Sequence, residues 1–386
     1  MRRTIPLSIL LLLAVLWLFP AGESVRAAEE DQPLDFPTPL CMPGAYVVDP
    51  QDCLPLGPSQ ILTELAKEGV RYPQAPLSYI ETPQDYSWVE NSYIEVLTDG
   101  AISIYGSLDA AVSQSAGRIM PDGFRYFSYT QRAEPSGGVY YQVKTGEWVW
   151  GGDVRRITPP NFRGMVFLAT PKNDFAFVIE MDTPAYQRPD YNAGLTGTRY
   201  HRFQVTPLYG EAEGPDGTLW YRVGLTDWLP KQTVAAVHIN TTPPEGVEND
   251  RWVEVDLFQQ VLKVYENREL KFVTLVSTGV APLYTKPGLF QIYERIENEV
   301  MTTGDPSDYY YLEDVPWTQY FDEARALHGI YWHPWLGYNN SHGCVNMSIA
   351  DARWVWEWAN MGDYVYVWDP SGETPTDPSF YTGGGP

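Results

Sequence analysis

The sequence predicts a mainly β protein of several domains, and three observations predict it. Aromatic residues make up 14% of the chain. Glycine and proline number 32 and 33 among 386 residues. Short runs that alternate apolar and polar residues recur between Gly-, Pro-, Asn- and Asp-rich turns. Aromatic and β-branched side chains suit a pleated strand, and closely spaced turn residues punctuate short strands rather than long helices. With 44% hydrophobic and 19% charged residues the composition is globular, and the length accommodates roughly two to four domains.

The elements follow in order. Arg2 and Arg3 precede an apolar run over 5–19, and Val25-Arg26-Ala27 supplies small residues before a cut after Ala27. A basic start, a short apolar core and small residues describe a secretory signal peptide over 1–27. The run falls short of the ~20 apolar residues of a membrane span. The mature chain is therefore expected outside the cytoplasm, in the periplasm or cell wall, and anchored to a membrane only if the signal stays uncleaved. Residues 28–85 form a Pro-rich segment with one helix expected over 59–68, capped by Ser59 and stopped by Gly69. Cys41 and Cys53, 12 residues apart in that segment, make a natural disulfide, stabilising by about 3 kcal/mol for a loop of that length. Of three cysteines Cys344 is then the free one.

Strands are expected at 93–97 and 102–105 around a turn at 98–100, and again at 139–143 and 148–150. The last pattern returns at a constant offset. Tyr141, Val143, Trp148, Val154 and Ile157 align with Tyr221, Val223, Trp228, Val234 and Val237, and Glu147 with Asp227. Apolar positions kept in register argue for two duplicated β-units, over 86–160 and 161–245. In pattern they resemble small SH3-like barrels. Residues 241–246 read as a linker. Beyond it lie strands at 252–257, 261–265, 272–276 and 288–293. A helix over 348–360 is opened by Ser348 and Asp351 in a capping-box-like start, and a strand at 364–368 closes the domain. The tail, 371–386, is Pro/Gly-rich and expected to be disordered. The net charge of -23 makes nucleic acid a poor partner, because such a surface repels phosphate backbones.

Chemistry concentrates near the C-terminus. Three of the five histidines, His328, His333 and His342, fall just before Cys344, within the string Ser341-His342-Gly343-Cys344-Val345-Asn346. A thiol attacks as thiolate, and a neighbouring imidazole can take its proton. A helix starting at Ser348 would lower the thiol pKa with its positive end, and N–H groups around Gly343 and Cys344 would stabilise an oxyanion. Zinc held by the three histidines and the cysteine is the rival, but the spacing is not a familiar zinc pattern. His333, beside Trp332 and Pro334, reads as a packed or rim histidine.

The stretch from His328-Gly329 through Tyr331-Trp332-His333 to Ser341-His342-Gly343-Cys344-Val345-Asn346 resembles the signature of the L,D-transpeptidase (YkuD) family. The resemblance extends over about 250–370. It implies a β-sandwich-like catalytic domain in which Cys344 is the acylated nucleophile. His328 would be the base, oriented by the carbonyl of Gly329, and His342 would help position thiol or substrate. Ser341, Gly343 and Asn346 would wall the pocket, with Asn346 standing where many relatives carry Arg. A lid over 301–321 would bring Tyr309, Tyr310, Trp317 and Tyr320 over the cleft. Tyr320 and Trp332 are the expected aromatic substrate contacts. The implied reaction takes a peptidoglycan tetrapeptide stem, releases D-alanine, holds the acyl group on Cys344 and passes it to an amine, giving a 3→3 cross-link. No metal or organic cofactor is implied, and a monomer is expected. Two alternatives stay open: a carboxypeptidase or amidase that hydrolyses the same acyl-enzyme, and a non-enzymatic wall-binding protein.

Overall fold

The computed structural model describes residues 40–42, 47, 53, 54, 56–90, 92–115, 117–303 and 309–381. The expected signal peptide and the last five residues of the tail lie outside the described residues.

The centre is a seven-stranded sheet in the order Tyr79–Glu81, Met165–Phe167, Glu269–Leu275, Val261–Glu266, Arg251–Asp256, Tyr364–Trp368 and Gly288–Gln291. The hairpin joining Val261–Glu266 to Glu269–Leu275 turns on Asn267 and Arg268, both at positive φ (54° and 62°). That is the twist a two-residue hairpin requires. Arg251–Asp256 pairs antiparallel with Val261–Glu266 and parallel with Tyr364–Trp368. Both faces of these strands are buried. Val253, Val255, Leu262 and Val264 pack with Ala352 and Val355 of the helix Ile349–Trp358. Trp252, Val261, Tyr265 and Leu275 pack on the other side with Phe175 and Phe177. Each fully buried side chain of this kind stabilises by about 1.5–3 kcal/mol.

A second sheet carries the signature residues and reaches far beyond the C-terminal domain. Its path runs Val345–Ser348, Arg325–Ile330, Tyr310–Asp322, Phe124–Ala133, Ser92–Val96, Val154–Ile157, with Glu294–Thr302, Tyr140–Val143 and Trp148–Trp150 attached to it. The junction is a parallel pairing of Tyr310, Tyr311 and Leu312 with Phe124, Arg125 and Tyr126. Gly123 permits it: the strands approach so closely that a Cβ at this position would collide with the Tyr309 carbonyl. Phe124 N–H donates to that same oxygen at 3.0 Å.

Residues 175–237 form the next β-unit, with Phe175–Val178 between Val205–Pro207 and Val234–Val237 and a five-stranded sheet beside them. Its core gathers Val178, Tyr221, Val223, Leu229 and Val234. The hairpins of the two units repeat in register. Tyr141 pairs with Val149 and Tyr221 with Leu229, and Val143 and Val223 donate to the carbonyls of Glu147 and Asp227, each at 2.9 Å.

Several expectations need correction. The expected boundaries do not separate structural units: Met165–Phe167, assigned to the second unit, pairs with Phe272 and Val273 of the central sheet. The first helix runs Pro58–Lys67 from Gly57, without a side-chain cap. Ser59 lies inside it, where its Oγ donates to Met42 O at 2.6 Å beside the Cys41–Cys53 disulfide. Within the tail expected to be disordered, Tyr381 is buried against Arg325. Among the described residues no helix is long and apolar enough to cross a membrane.

Candidate active site

Parallel pairing of Arg325–Ile330 with Val345–Ser348 sets His328 opposite Asn346 and leaves Cys344 immediately ahead of the second strand. The two strands thus present His328, Asn346 and Cys344 to one cavity of about 370 Å³. Ser341, His342, Trp332, His333, Trp335 and Asn340 complete its C-terminal wall. The opposite wall comes from Met301, Tyr310 and Leu312 of the long hairpin, and from Phe124 and Tyr126 of the first β-unit. The cavity is composite: two strands from regions far apart in sequence, joined by the parallel pairing, face the cysteine across it.

The loop before Cys344 is held from several sides. Ser341 Oγ donates to Cys344 O at 2.6 Å and accepts from Gly343 N–H at 3.1 Å. Thr285 Oγ1 donates to Gly343 O at 2.8 Å. Gly343 adopts φ 121°, a conformation open to glycine, with Arg325 and Tyr284 O close by. Gly343 N–H, expected among the oxyanion donors, is thus already engaged by Ser341.

His328 is buried, and its Nδ1 lies 3.1 Å from Gly329 O. With Nδ1–H donated to that carbonyl, Nε2 is the free basic atom. Burial pushes the imidazole down to about 4, against the Gly329 contact, so it is neutral at physiological pH. Cys344 is 3% exposed, and burial pushes its thiol up to about 11. Ala326 N–H, 3.4 Å from Sγ, and the Arg325 guanidinium oppose that rise. Sγ also faces Ala324 O at 3.7 Å and makes no hydrogen bond to His328. Thiol and imidazole are therefore both neutral in this state.

The expected helix effect is absent because 345–348 continue as strand. The helix begins at Ile349, with Ser348 as its cap accepting from Asp351 N–H at 3.2 Å, so its positive end does not meet the thiol. Tyr320 does not line the cavity either. It packs behind Cys344 with Ala326, and its hydroxyl donates to Glu299 at 3.0 Å. The expected lid is a hairpin of Glu294–Thr302 and Tyr310–Asp322 fixed to the first β-unit. Only its far end meets the cavity, while Trp317 packs on Trp356 of the helix. His342 is exposed, its ring 5.7 Å from that of Tyr310. Trp332 stands 5.7 Å from the His328 ring. His333 is buried: its Nδ1 accepts from Trp335 N–H at 3.2 Å, and its Nε2 lies 3.2 Å from Asn346 Nδ2.

Two contributions escaped the sequence. Arg325, three residues before His328, is a buried cation under the cysteine loop, paired with Asp322 at 3.0 Å and donating to Tyr284 O at 3.1 Å. Phe124 and Tyr126 lie more than two hundred residues before Cys344, and no local signal links them to it.

Residues 250–367 match the L,D-transpeptidase catalytic domain, YkuD. Every signature residue, from His328 to Asn346, falls inside the matched span. No curated protein matches the chain. Among solved structures, the chain is similar to a cysteine-to-serine mutant of the Enterococcus faecium L,D-transpeptidase, at 21% identity over 33% of this chain and 54% of that one, with a TM-score of 0.30. An L,D-transpeptidase from Stackebrandtia nassauensis is 28% identical over 35% of this chain and 63% of that one, with a TM-score of 0.27. The catalytic domain of the E. faecium enzyme acylated by ertapenem is 22% identical over 32% of this chain and 100% of that one, with a TM-score of 0.29. The chain thus spans about half the length of that first E. faecium chain. The matched span holds five of the seven strands of the central sheet, the Cys344 loop and the helix after it; Tyr79–Glu81, Met165–Phe167 and the wall bearing Phe124 lie outside the matched residues.

Proposed function

We propose that the protein is an exported cysteine acyltransferase of peptidoglycan. Cys344 attacks the carbonyl between the third residue and the terminal D-alanine of a tetrapeptide stem, and an amine on a neighbouring stem takes the acyl group. The observation that carries this reading is the convergence of Cys344 and His328 on one cavity, with His328 Nδ1 tied to Gly329 O and Nε2 left basic. Catalysis starts from a neutral pair. Substrate entering the cavity draws the thiol out of its contact with Ala326, and Nε2 of His328 accepts the thiol proton as the C–S bond forms. The resulting imidazolium returns that proton to the departing amine of D-alanine, which leaves a thioester on Cys344. The acceptor amine then loses its proton to the same Nε2 as it displaces the thiolate. His342, exposed at the mouth, orients the incoming chains, and Trp332 packs beside the imidazole.

Intact mass after incubation with a carbapenem tests the reading. A carbapenem offers a strained acyl group to the thiol, so the wild type is expected to gain one adduct. Cys344→Ala should gain none, and His328→Ala should react at least about a hundredfold more slowly. A folded, reduced wild type that stays unmodified would sink the proposal. Tetrapeptide stems as sole substrate then report D-alanine release.

A further inference from the structure

Asn346 is 2% exposed and lines the cavity, yet one of its two amide atoms has no hydrogen-bond partner among the described residues. The other faces His333 Nε2 at 3.2 Å. Its backbone is fully engaged, since Ser277 and Asn346 exchange both N–H···O bonds at 3.0 and 2.9 Å. A buried polar atom left unpaired costs about 1–3 kcal/mol, so a partner arriving with the ligand is the natural resolution.

His333 decides which atom that is. Its Nδ1 accepts from Trp335 N–H at 3.2 Å, so the ring proton sits on Nε2. Amide oxygen and nitrogen are distinguished by their hydrogen bonds, and an N–H at Nε2 needs an acceptor. The amide atom facing His333 is therefore the oxygen, and Nδ2 takes the unpartnered position in the cavity wall. We infer that His333 is a positioning residue: it fixes the Asn346 amide so that Nδ2 donates to an oxygen of the acyl donor, a carbonyl or carboxylate of the peptide bound beside Cys344. The deduction rests on the acyl-transfer reading of this cavity. Burial, and His328 nearby, hold His333 down at about 4, so the ring keeps its single proton across the working pH range. Among the described residues no Lys, Arg, Asp or Glu lines the cavity, and a neutral donor held by a neutral ring is a polar grip suited to it opposite the signature histidine.

A double-mutant cycle on the full-length protein tests this, reading the second-order rate of carbapenem acylation and, with tetrapeptide, KM and kcat separately. Asn346→Ala and His333→Phe are each expected to lower the acylation rate about tenfold, the size of one lost hydrogen bond. The double variant should be no slower than Asn346→Ala alone. His333→Gln, whose amide N–H reaches the place of Nε2, should recover to within about threefold of wild type. Losses that multiply in the double variant, or His333→Phe at the wild-type rate, would overturn the assignment. Melting curves identify any variant that fails to fold, and His333→Gln then carries the test. The ¹⁵N spectrum of the His333 ring gives a readout independent of turnover: Nε2 protonated is expected, and Nδ1 protonated overturns the inference. A wild type that no carbapenem acylates would count against the acyltransferase reading, while the ring spectrum would still decide the tautomer.

Discussion

Thr82 Oγ1 donates to Asp351 Oδ1 at 2.6 Å, joining residues 269 positions apart. Asp351 is fully buried, and it also accepts from Gly164 N–H at 2.8 Å and Thr274 Oγ1 at 2.6 Å. One carboxylate in the first turn of the helix after Cys344 thus collects the N-terminal segment, the strand entry at Gly164 and the central sheet. Burial raises its pKa, against the lowering by its hydrogen bonds.

Removing that partner should loosen the whole domain. Thr82→Val is expected to destabilise by about 1–3 kcal/mol, because it leaves a buried acceptor short of a donor. Denaturant unfolding followed by tryptophan fluorescence measures it. An unchanged midpoint would show that the segment before 90 is dispensable.

The thiol should be slow in the resting state. With its pKa pushed up to about 11, the thiolate fraction at pH 7 is on the order of 10⁻⁴. Alkylation by iodoacetamide should therefore rise about tenfold per pH unit from 7 towards 10. A rate that levels off below pH 8 would mean a thiolate–imidazolium pair instead. His328, pushed down to about 4, sets no limit on the acid side until the pH approaches that value.

A second pH effect belongs to the junction between the first β-unit and the hairpin. Glu313 is buried there and accepts from Ser128 N–H at 3.1 Å; burial pushes its carboxyl up to about 7, with Asp314 beside it adding to the rise. A carboxyl raised on folding contributes its stability below its unfolded pKa and loses it as pH rises through about 7. The wild type should melt lower at pH 8.5 than at pH 5.5, and Glu313→Gln should flatten that difference. Equal pH dependence in both proteins would exclude Glu313 as the source.

Phe124, 42% exposed at the cavity wall, should matter to substrate and not to folding. Phe124→Ala is expected to raise KM for a tetrapeptide about three- to tenfold with the melting temperature little changed, reflecting lost apolar contact. An unaltered KM would reduce the first unit to a scaffold.

The central sheet was legible because its strands carry their own pattern: 364–368 was read to the residue, and 252–257 and 261–265 to within one. The helix start at Ser348 was legible for the same reason, a cap being a local signal. Arg325–Ile330 and Val345–Ser348 carry no strand signal in the sequence: His328 and Gly329 interrupt the first, and the second is only four residues long. The partners of the site were hidden for a different reason. Parallel pairing of Tyr310–Leu312 with Phe124–Tyr126 is a long-range event with no trace in local spacing, and Trp317 and Tyr320 carry the same aromatic signal whether they face substrate or the helix.

That pairing also limits how the protein can be divided. A fragment cut at residue 250 to match the family boundary would keep Cys344 and His328 but strip the neighbour from Tyr310–Leu312. It would expose a row of unpaired N–H and C=O groups beside an emptied wall, the arrangement that recruits other chains edge to edge. Thr82 and Phe124 both lie ahead of that cut, so the segments before the signature complete the frame of the domain they precede and are not cargo attached to it.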